Sequence, residues 1–317
     1  MNHATESLVD DYVDLQVNGY HGIDFNDPTT SRERLLEAAR AMLADGVSAA
    51  LPTIITASLS TMTTCITNLR LLVEADPEAA GIFQGIHIEG PFLSPVPGYI
   101  GAHPPEHALE SDPTALEQLL DAAGSLAKLV TLAPEVDVGG QLTKLCVERG
   151  VLVAAGHTDA SLEQLEQCVS AGLRLFTHLG NGCPKLMDRH DNIIYRALRF
   201  HDRLTYSLIA DGFHVPRLLF ENLLEWLPRE RMLVVSDAIS AAGLGPGTYQ
   251  LGHRQVQIGE DKAARDASGQ HFVGAASTMR DADGWLRDML GLDTATRRQL
   301  LVDNPARLLL SHHRPAT

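Results

Sequence analysis

The sequence has 317 residues, of which 44% are hydrophobic and 21% are charged, and this is ordinary globular composition, long enough for one large barrel or two medium domains. The formal net charge is −15, from 40 acidic and 25 basic residues. This balance argues against nucleic acid or an anionic membrane as the main partner, because either would require a basic face.

The four cysteines form no CxxC pair, so we expect reduced thiols in a cytoplasmic protein rather than a disulfide scaffold or a thiolate zinc site. The segment Met1–Ser7 lacks the basic and apolar regions of a signal peptide. No apolar run approaches the roughly 20 residues that a membrane-spanning helix needs. The sequence therefore predicts a soluble protein.

Eight apolar runs of strand length alternate with amphipathic stretches along the chain. Each run is rich in Val, Ile or Leu and does not alternate cleanly with polar residues, which is typical of parallel strands covered on both faces. The runs are Tyr12–Val17, Val47–Leu51, Ile82–Ile88, Leu129–Leu132, Val151–Ala155, Leu173–Thr177, Leu204–Ile209 and Met232–Val235.

The stretches between these runs carry helix signals. Thr30 and Glu33 have the spacing of a capping box and predict a helix that ends near Gly46. Further helix starts are predicted at Asp159 or Ser161, ahead of a stop at Gly172, and at Pro216. Eight strands with helical crossovers predict an α/β fold of the (β/α)8 TIM-barrel type, closed on itself rather than an open sheet.

One catalytic barrel domain is expected to span residues 1–317. The glycine-rich segment Gly243–Gly274 is interpreted as an irregular excursion after the eighth strand, in which Tyr249–Ile258 could form a hairpin. The tail from Asp281 to Leu310 has a helical pattern again.

The unusual polar residues follow directly on the carboxyl ends of the apolar runs. In a barrel this end carries the catalytic groups, so residues that are distant in sequence are expected to meet in one pocket. They are Gln16 and Asn18, His87 and Glu89, Gly156–Thr158, Thr177 and His178, Asp211–His214, and Ser236–Ala238.

Glu89, His157 and His178 form a ligand set that suits Zn²⁺ and leaves a position open for water. Such a metal polarises a carbonyl and lowers the pKa of bound water toward about 7. Asp237 could accept the proton of that water and return it to a leaving nitrogen. Together these groups predict hydrolysis of an amide.

A hydrogen bond to the developing oxyanion could come from His103 or His214. Each residue also has a structural interpretation when taken alone: a lone histidine is often a hydrogen-bonded core residue, Gly156 can mark a tight turn, and Asp237 can cap a helix. Glu89 could be a surface carboxylate, although its apolar neighbours favour burial. The coincidence of these residues at one end of successive strands favours the metal site.

Nine segments, in this order, resemble the N-acetylglucosamine-6-phosphate deacetylase family of the amidohydrolase superfamily. They are Asp14–Gly19, His87–Phe92, Gly101–Pro105, Gly156–Ser161, Thr177–Asn181, Ala210–Val215, Val235–Ala238, Ala276–Met279 and Asn304–Arg307.

The resemblance implies a role for each matching position at the reaction centre. Glu89, His157 and His178 match the family's metal ligands, and Asp237 matches its catalytic aspartate. His103 matches the histidine that contacts the acetyl oxygen. The reaction implied is removal of the acetyl group from an N-acetyl-hexosamine 6-phosphate.

The resemblance also implies a substrate site. Asn181 and Gly182 match the pair that holds the sugar phosphate, and His214 matches another substrate contact. Arg189 aligns with an arginine that reaches the phosphate bound to a neighbouring subunit, so a homodimer is implied, and this role suits a guanidinium. The remaining substrate-binding positions carried over from the matching segments are Ala102 and Met279.

Gln16 and Asn18 stand where many amidohydrolases carry His-x-His, and neutral amides are poor ligands for a second zinc. The sequence therefore predicts one divalent metal ion, with Zn²⁺ preferred although the same ligands accept Fe, Co or Mn.

Two departures from the family leave the sugar open. The family's small β-domain is expected to be absent or reduced to the Gly243–Gly274 excursion, and Gly180 and Cys183 replace larger family residues beside the phosphate-holding pair. Cys183 is interpreted as a packing residue rather than a metal ligand. The alternatives are an amidohydrolase acting on another N-acyl sugar or a cyclic amide, and a non-catalytic relative that binds sugar or serves as a scaffold.

Overall fold

The computed structural model describes residues 8–251, 254–266 and 272–311. An eight-stranded parallel sheet forms the centre of the protein, and its strands lie side by side in chain order. These strands are β1 (Tyr12–Val17), β4 (Val47–Ile55), β5 (Ile86–Glu89), β6 (Ala127–Leu132), β7 (Leu152–Ala155), β8 (Leu175–Phe176), β9 (Thr205–Ile209) and β10 (Met232–Val235), and a short antiparallel pair, β2 (Gly19–Tyr20) and β3 (Ile23–Asp24), follows β1.

Helices alternate with the strands and cover the outside of the sheet. Apolar residues of both layers form one continuous core, as expected of a sheet buried on both faces. The helices are α1 (Arg32–Ala44), α2 (Leu59–Ala75), α3 (Pro77–Ile82), α4 (Pro113–Ala123), α5 (Gln141–Glu148), α6 (Leu162–Ala171), α7 (Ile193–Leu198), α8 (Arg217–Trp226), α9 (Met279–Asp288), α10 (Thr294–Arg298) and α11 (Asn304–Ser311).

The first and last strands of the sheet meet through backbone hydrogen bonds just beyond β10. The amide of Asp237 donates to the carbonyl of Gln16 over 3.0 Å, and the amide of Asn18 donates to the carbonyl of Ala238 over 2.8 Å. These bonds bring the sheet round on itself. The predicted (β/α)8 barrel is therefore confirmed, and the carboxyl ends of all eight strands face the same end of it.

Several predicted boundaries need correction. The run Ile82–Ile88 holds the end of helix α3 as well as strand β5, because both elements are apolar and periodicity does not separate them. Helix α1 is capped by Ser31, whose side chain accepts the amide of Arg34, rather than by Thr30. The Thr30 hydroxyl instead donates to the carbonyl of Asp24.

The other helix predictions are confirmed. Ser161 begins α6 with a capping box closed by Gln164, Gly172 ends it, and α8 begins directly after Pro216. The tail is helical from α9 to α11, with one π-helical turn at Gln299–Asp303. No helix in the described ranges is long and apolar enough to cross a membrane.

The segment predicted as an irregular excursion is more regular than its glycine content suggests. It contains four antiparallel strands, β11 (Gly247–Leu251), β12 (Arg254–Ile258), β13 (Ala263–Asp266) and β14 (Phe272–Ala275), in that order. The predicted hairpin is confirmed by the pairing of β11 with β12. The sheet joins the barrel where the amide of Ala275 donates to the carbonyl of Asp237 over 3.2 Å.

Candidate metal centre

Four of the predicted site residues lie at strand ends, where the barrel brings them together. Glu89 is the last residue of β5, and His157, His178 and Asp237 lie two residues beyond β7, β8 and β10. These last three residues have φ angles of 51°, 33° and 49°, in the left-handed region that residues other than glycine rarely adopt. The chain therefore turns sharply at each position, directly after a rigid strand.

Glu89, His157 and His178 are the one group of three potential metal ligands found in the described part of the chain. Their ligand atoms all lie within 4.8 Å of one another, and all three residues are buried. Oε1 of Glu89 lies 3.4 Å from Nε2 of His157 and 3.1 Å from Nε2 of His178. One carboxylate and two imidazoles at this spacing fit a divalent cation with an open coordination position.

The hydrogen bonds of His157 prepare it as a ligand. Its Nδ1 lies 2.8 Å from the backbone carbonyl oxygen of Tyr99. A carbonyl only accepts, so Nδ1 carries the hydrogen and Nε2 presents its lone pair toward Glu89. Nδ1 of His178 is buried and has no hydrogen-bond partner among the residues described.

The charge state of Glu89 also suits a cation site. Burial alone would raise the pKa of Glu89, but the neighbouring rings of His157 and His178 hold it well below the ordinary value. The carboxylate is therefore ionised, and a buried anion calls for a positive partner. The residues present fit the metal that the sequence predicts.

Asp237 lies beside this group and is held by two amides. Its Oδ1 accepts from Nε2 of Gln16 over 3.1 Å and from Nδ2 of Asn18 over 2.8 Å. Within the described ranges, Oδ2 has no hydrogen-bond partner and is left for substrate or water. Burial, and after it the negative charge of Glu89, raise the pKa of Asp237.

The amide of Gln16 links the two carboxylates. Its Nε2 also donates to Oε1 of Glu89 over 3.0 Å, so Gln16 and Asn18 both turn their NH₂ groups toward the carboxylates. An NH₂ group has no lone pair to offer a metal. This orientation favours a single ion over a second one bound at these amides.

His103 also lies beside the group, with Nε2 3.9 Å from Oε2 of Glu89. The backbone amide of Thr56 donates to Nδ1 of His103 over 3.3 Å, and the Thr56 hydroxyl lies 2.9 Å from the same atom. Because a backbone amide only donates, Nδ1 accepts, and the hydrogen of the neutral ring resides on Nε2. Burial, and next the neighbouring His157, lower the pKa of His103 to about 3. The ring is therefore neutral and presents an N–H donor toward the site.

Asn181 and Gly182 line the same small enclosed space as the ring of His157. Nδ2 of Asn181 is buried without a hydrogen-bond partner among the described residues. Gly182 has a φ of 60°, and a Cβ there would approach Nδ1 of His157 to 2.9 Å, so a side chain would collide with the ligand. Cys183 is half-buried, and its thiol contacts the carbonyl of Gly180 over 3.5 Å rather than the ligand group.

His214 is oriented by Asp211, for which the sequence predicted no role of its own. Nδ1 of His214 lies 2.6 Å from Oδ2 of Asp211, and Oδ1 of Asp211 accepts the amides of Phe213 and His214. The spacing of the two residues within one loop was the signal that could have identified Asp211. The Tyr99 carbonyl left no such signal, because any residue supplies a backbone oxygen.

Three predicted substrate residues do not join this cluster. Arg189 is exposed and has no ion pair with any described residue. Ala102 is exposed, and Met279 is buried in the barrel core as the first residue of α9. Their substrate roles stay predictions.

The chain is 31% identical over 316 residues to the N-acetylglucosamine-6-phosphate deacetylase of Danio rerio, an alignment that covers 96% of this chain and 76% of that protein. The chain belongs to the N-acetylglucosamine-6-phosphate deacetylase family. It is also 32% identical over 308 residues to the N-acetylgalactosamine-6-phosphate deacetylase of Shewanella sp. (strain ANA-3), covering 96% of this chain and 74% of that protein.

The solved structures of N-acetylglucosamine-6-phosphate deacetylases share the fold. A mutant deacetylase from Mycobacterium smegmatis, in complex with N-acetyl-D-glucosamine-6-phosphate, matches with a TM-score of 0.85 and 27% identity over 95% of this chain and 77% of that chain. This chain spans between 62% and 78% of the length of eight curated relatives. No family model matches it.

Proposed function

We propose that this protein hydrolyses the acetamide of an N-acetyl-hexosamine 6-phosphate, with N-acetylglucosamine 6-phosphate as the first candidate substrate. The products are acetate and the amino-sugar phosphate. The observation that carries the proposal is the buried group of Glu89, His157 and His178 with Asp237 beside it. Because the chain belongs to the deacetylase family, we infer that this group catalyses hydrolysis of an acetamide.

Glu89, His157 and His178 would hold one divalent cation, which we assign as Zn²⁺ because a carboxylate with two imidazoles suits that ion. When bound, the cation polarises the acetyl carbonyl and lowers the pKa of water toward about 7. The NH₂ groups of Gln16 and Asn18, which face the carboxylates, support a single ion.

The proton transfers are assigned to Asp237. Its Oδ2 accepts a proton from the attacking water as the new C–O bond forms, and returns it to the nitrogen as the C–N bond breaks. Gln16 and Asn18 hold Oδ1, so the free oxygen stays in a fixed position through both transfers. Nε2–H of His103 donates to the carbonyl oxygen as its negative charge develops.

The substrate contacts are assigned to the loops around this centre. The unpaired Nδ2 of Asn181 and the amide of Gly182 hold the sugar phosphate, and His214 adds a further contact, supported by its tight bond to Asp211. We keep Ala102 and Met279 as substrate-binding positions on the family resemblance alone.

Arg189 is proposed to reach the phosphate bound in a neighbouring subunit, so the enzyme is proposed to be a homodimer. Its exposed guanidinium is supporting evidence, together with Leu186 in the same loop, which is 93% exposed. A single catalytic domain, working in the reducing cytoplasm, is also proposed, and the four free thiols agree with that compartment.

The test is acetate release from N-acetylglucosamine and N-acetylgalactosamine, each with and without the 6-phosphate, by protein loaded with Zn²⁺. We expect turnover of a phosphorylated sugar and little turnover of its unphosphorylated form. N-acetylgalactosamine 6-phosphate is the second candidate, favoured by the similarity to the Shewanella relative. Equal turnover without phosphate would remove the role of Arg189. No turnover of any of the four sugars after Zn²⁺ loading, by protein in which elemental analysis finds that no metal was retained, would favour a non-catalytic relative.

A further inference from the structure

Asp14 is a buried carboxylate near the middle of β1 that the proposed reaction does not use. Only 1% of its surface is exposed, and it has no ion pair with any residue in the described ranges. Its Oδ1 accepts the backbone amides of Ser236 over 3.1 Å and Gln16 over 3.3 Å, and its Oδ2 accepts the hydroxyl of Ser236 over 2.5 Å. A buried carboxyl group that accepts three such bonds fixes the groups that donate them.

The partner of Asp14 directly precedes Asp237. Oγ of Ser236 donates to Asp14 and accepts the backbone amide of Ala238 over 3.1 Å. Together, Asp14 and Ser236 therefore bind the backbone amides on both sides of Asp237. Asp237 itself has a φ of 49°, a conformation that persists only where the surroundings hold it.

Asp14 also holds a residue that binds the Asp237 carboxylate. Its Oδ1 accepts the backbone amide of Gln16, and the side chain of Gln16 donates to both Glu89 and Asp237. One carboxylate thus fixes the backbone that carries Asp237 and the backbone of the residue that binds its Oδ1.

We propose that Asp14, acting through Ser236, is a positioning residue that sets where the carboxylate of Asp237 lies relative to Gln16 and Glu89. The proposed function assigns no substrate contact to Asp14 or Ser236, and the effect on rate rests on that proposed function, in which Asp237 moves the proton. The competing interpretation is that the pair only fastens β1 to β10 and contributes to stability.

The chain offers a matched control for that interpretation. Asp137 is a buried carboxylate that also accepts two backbone amides and one hydroxyl, from Leu142 and Thr143 at distances of 2.7 to 3.0 Å. Asp137 lies just before α5 and Thr143 lies in its first turn, and the bonds between them involve neither Asp237 nor the three proposed metal ligands. Removing its hydroxyl removes the same kind of bond without moving the proposed proton carrier.

The kinetic experiment compares Ser236→Ala and Asp14→Asn with Thr143→Ala, all as metal-loaded protein. We expect Ser236→Ala to lower kcat by about 10- to 100-fold, with metal content unchanged and KM within about twofold of wild type. Thr143→Ala should lower the melting temperature by about as much as Ser236→Ala does, yet it should leave kcat within about twofold of wild type. The double variant Asp14→Asn/Ser236→Ala should lose no more than the worse single variant, because the two residues act as one unit. A wild-type kcat in Ser236→Ala, or an equal loss in Thr143→Ala, overturns the proposal.

A crystal structure of Ser236→Ala tests the positioning without any substrate. We expect Oδ1 of Asp237 to move out of hydrogen-bond distance of Gln16 or Asn18. An unmoved carboxylate overturns the positioning role whatever the substrate is. A moved carboxylate in a protein whose wild type deacetylates none of the sugars supports positioning and refutes the proposed function.

Discussion

Replacing Asp237 with asparagine separates the chemistry of this residue from its place in the site. Both amide donors reach Oδ1, and the asparagine carbonyl can accept both bonds while its NH₂ takes the place of Oδ2. The variant therefore keeps the packing and loses only the proton acceptor. General acid–base catalysis contributes about 10²- to 10⁴-fold, so we expect kcat to fall by that factor, which corresponds to a barrier higher by about 3 to 5 kcal/mol.

The assay measures kcat and KM for acetate release, with bound metal measured on the same preparation. Metal content and KM should stay close to wild type, because neither the three ligands nor the phosphate contacts are changed. A kcat within about tenfold of wild type would refute the proton-transfer role, since it falls below the smallest expected effect. Loss of the metal would refute the claim that Asp237 is separate from the ligand set.

Three further predictions follow from the same geometry. His103→Asn, whose shorter side chain cannot present Nε2–H, should lower kcat by about 10²- to 10³-fold with metal retained, and a smaller loss would argue against an oxyanion donor. Chelation should abolish activity and added Zn²⁺ should restore it, whereas Glu89→Gln should bind less metal by elemental analysis; full activity in chelator would contradict this. Burial lowers the pKa of His87 from 6.5 to about 4, so the folded protein binds fewer protons than the unfolded chain between these values. The contribution of His87 to the free energy of unfolding is complete above pH 6.5 and declines by on the order of 3 kcal/mol as pH falls to 4. Urea unfolding should therefore show a shallower decline in His87→Gln than in wild type.

The strands were predictable where an apolar run ends in a polar or turn-forming residue. The predicted bounds of β1 and β10 match the structure. Only two residues of the predicted run Leu173–Thr177 form β8. The amides of Arg174 and Thr177, which flank these two residues, still donate to carbonyls of β7. Strand length depends on how the neighbouring strand lies, and one run of sequence does not contain that information.

The candidate ligands were predictable because, in a barrel, the residues at the carboxyl ends of successive strands lie near one another at the same end. A polar residue after a buried parallel strand must lie at one end of the barrel, which located Glu89, His157 and His178. Their supporting contacts were not predictable in the same way. The carbonyl of Tyr99 and the bond between Asp14 and Ser236 depend on tertiary pairing between distant segments, and neither has a pattern of its own.

The left-handed backbone at His157, His178 and Asp237 lowers the stability of the fold at the positions that the proposed reaction needs. A residue with a Cβ costs about 1 to 2 kcal/mol in that conformation relative to glycine, although aspartate and histidine occur there more often than most residues. Laboratory selection for thermal resistance alone would therefore favour glycine at the two histidines and discard the cation. Engineering a more heat-resistant version of this protein should leave these positions untouched and look for its gains in the outer helices.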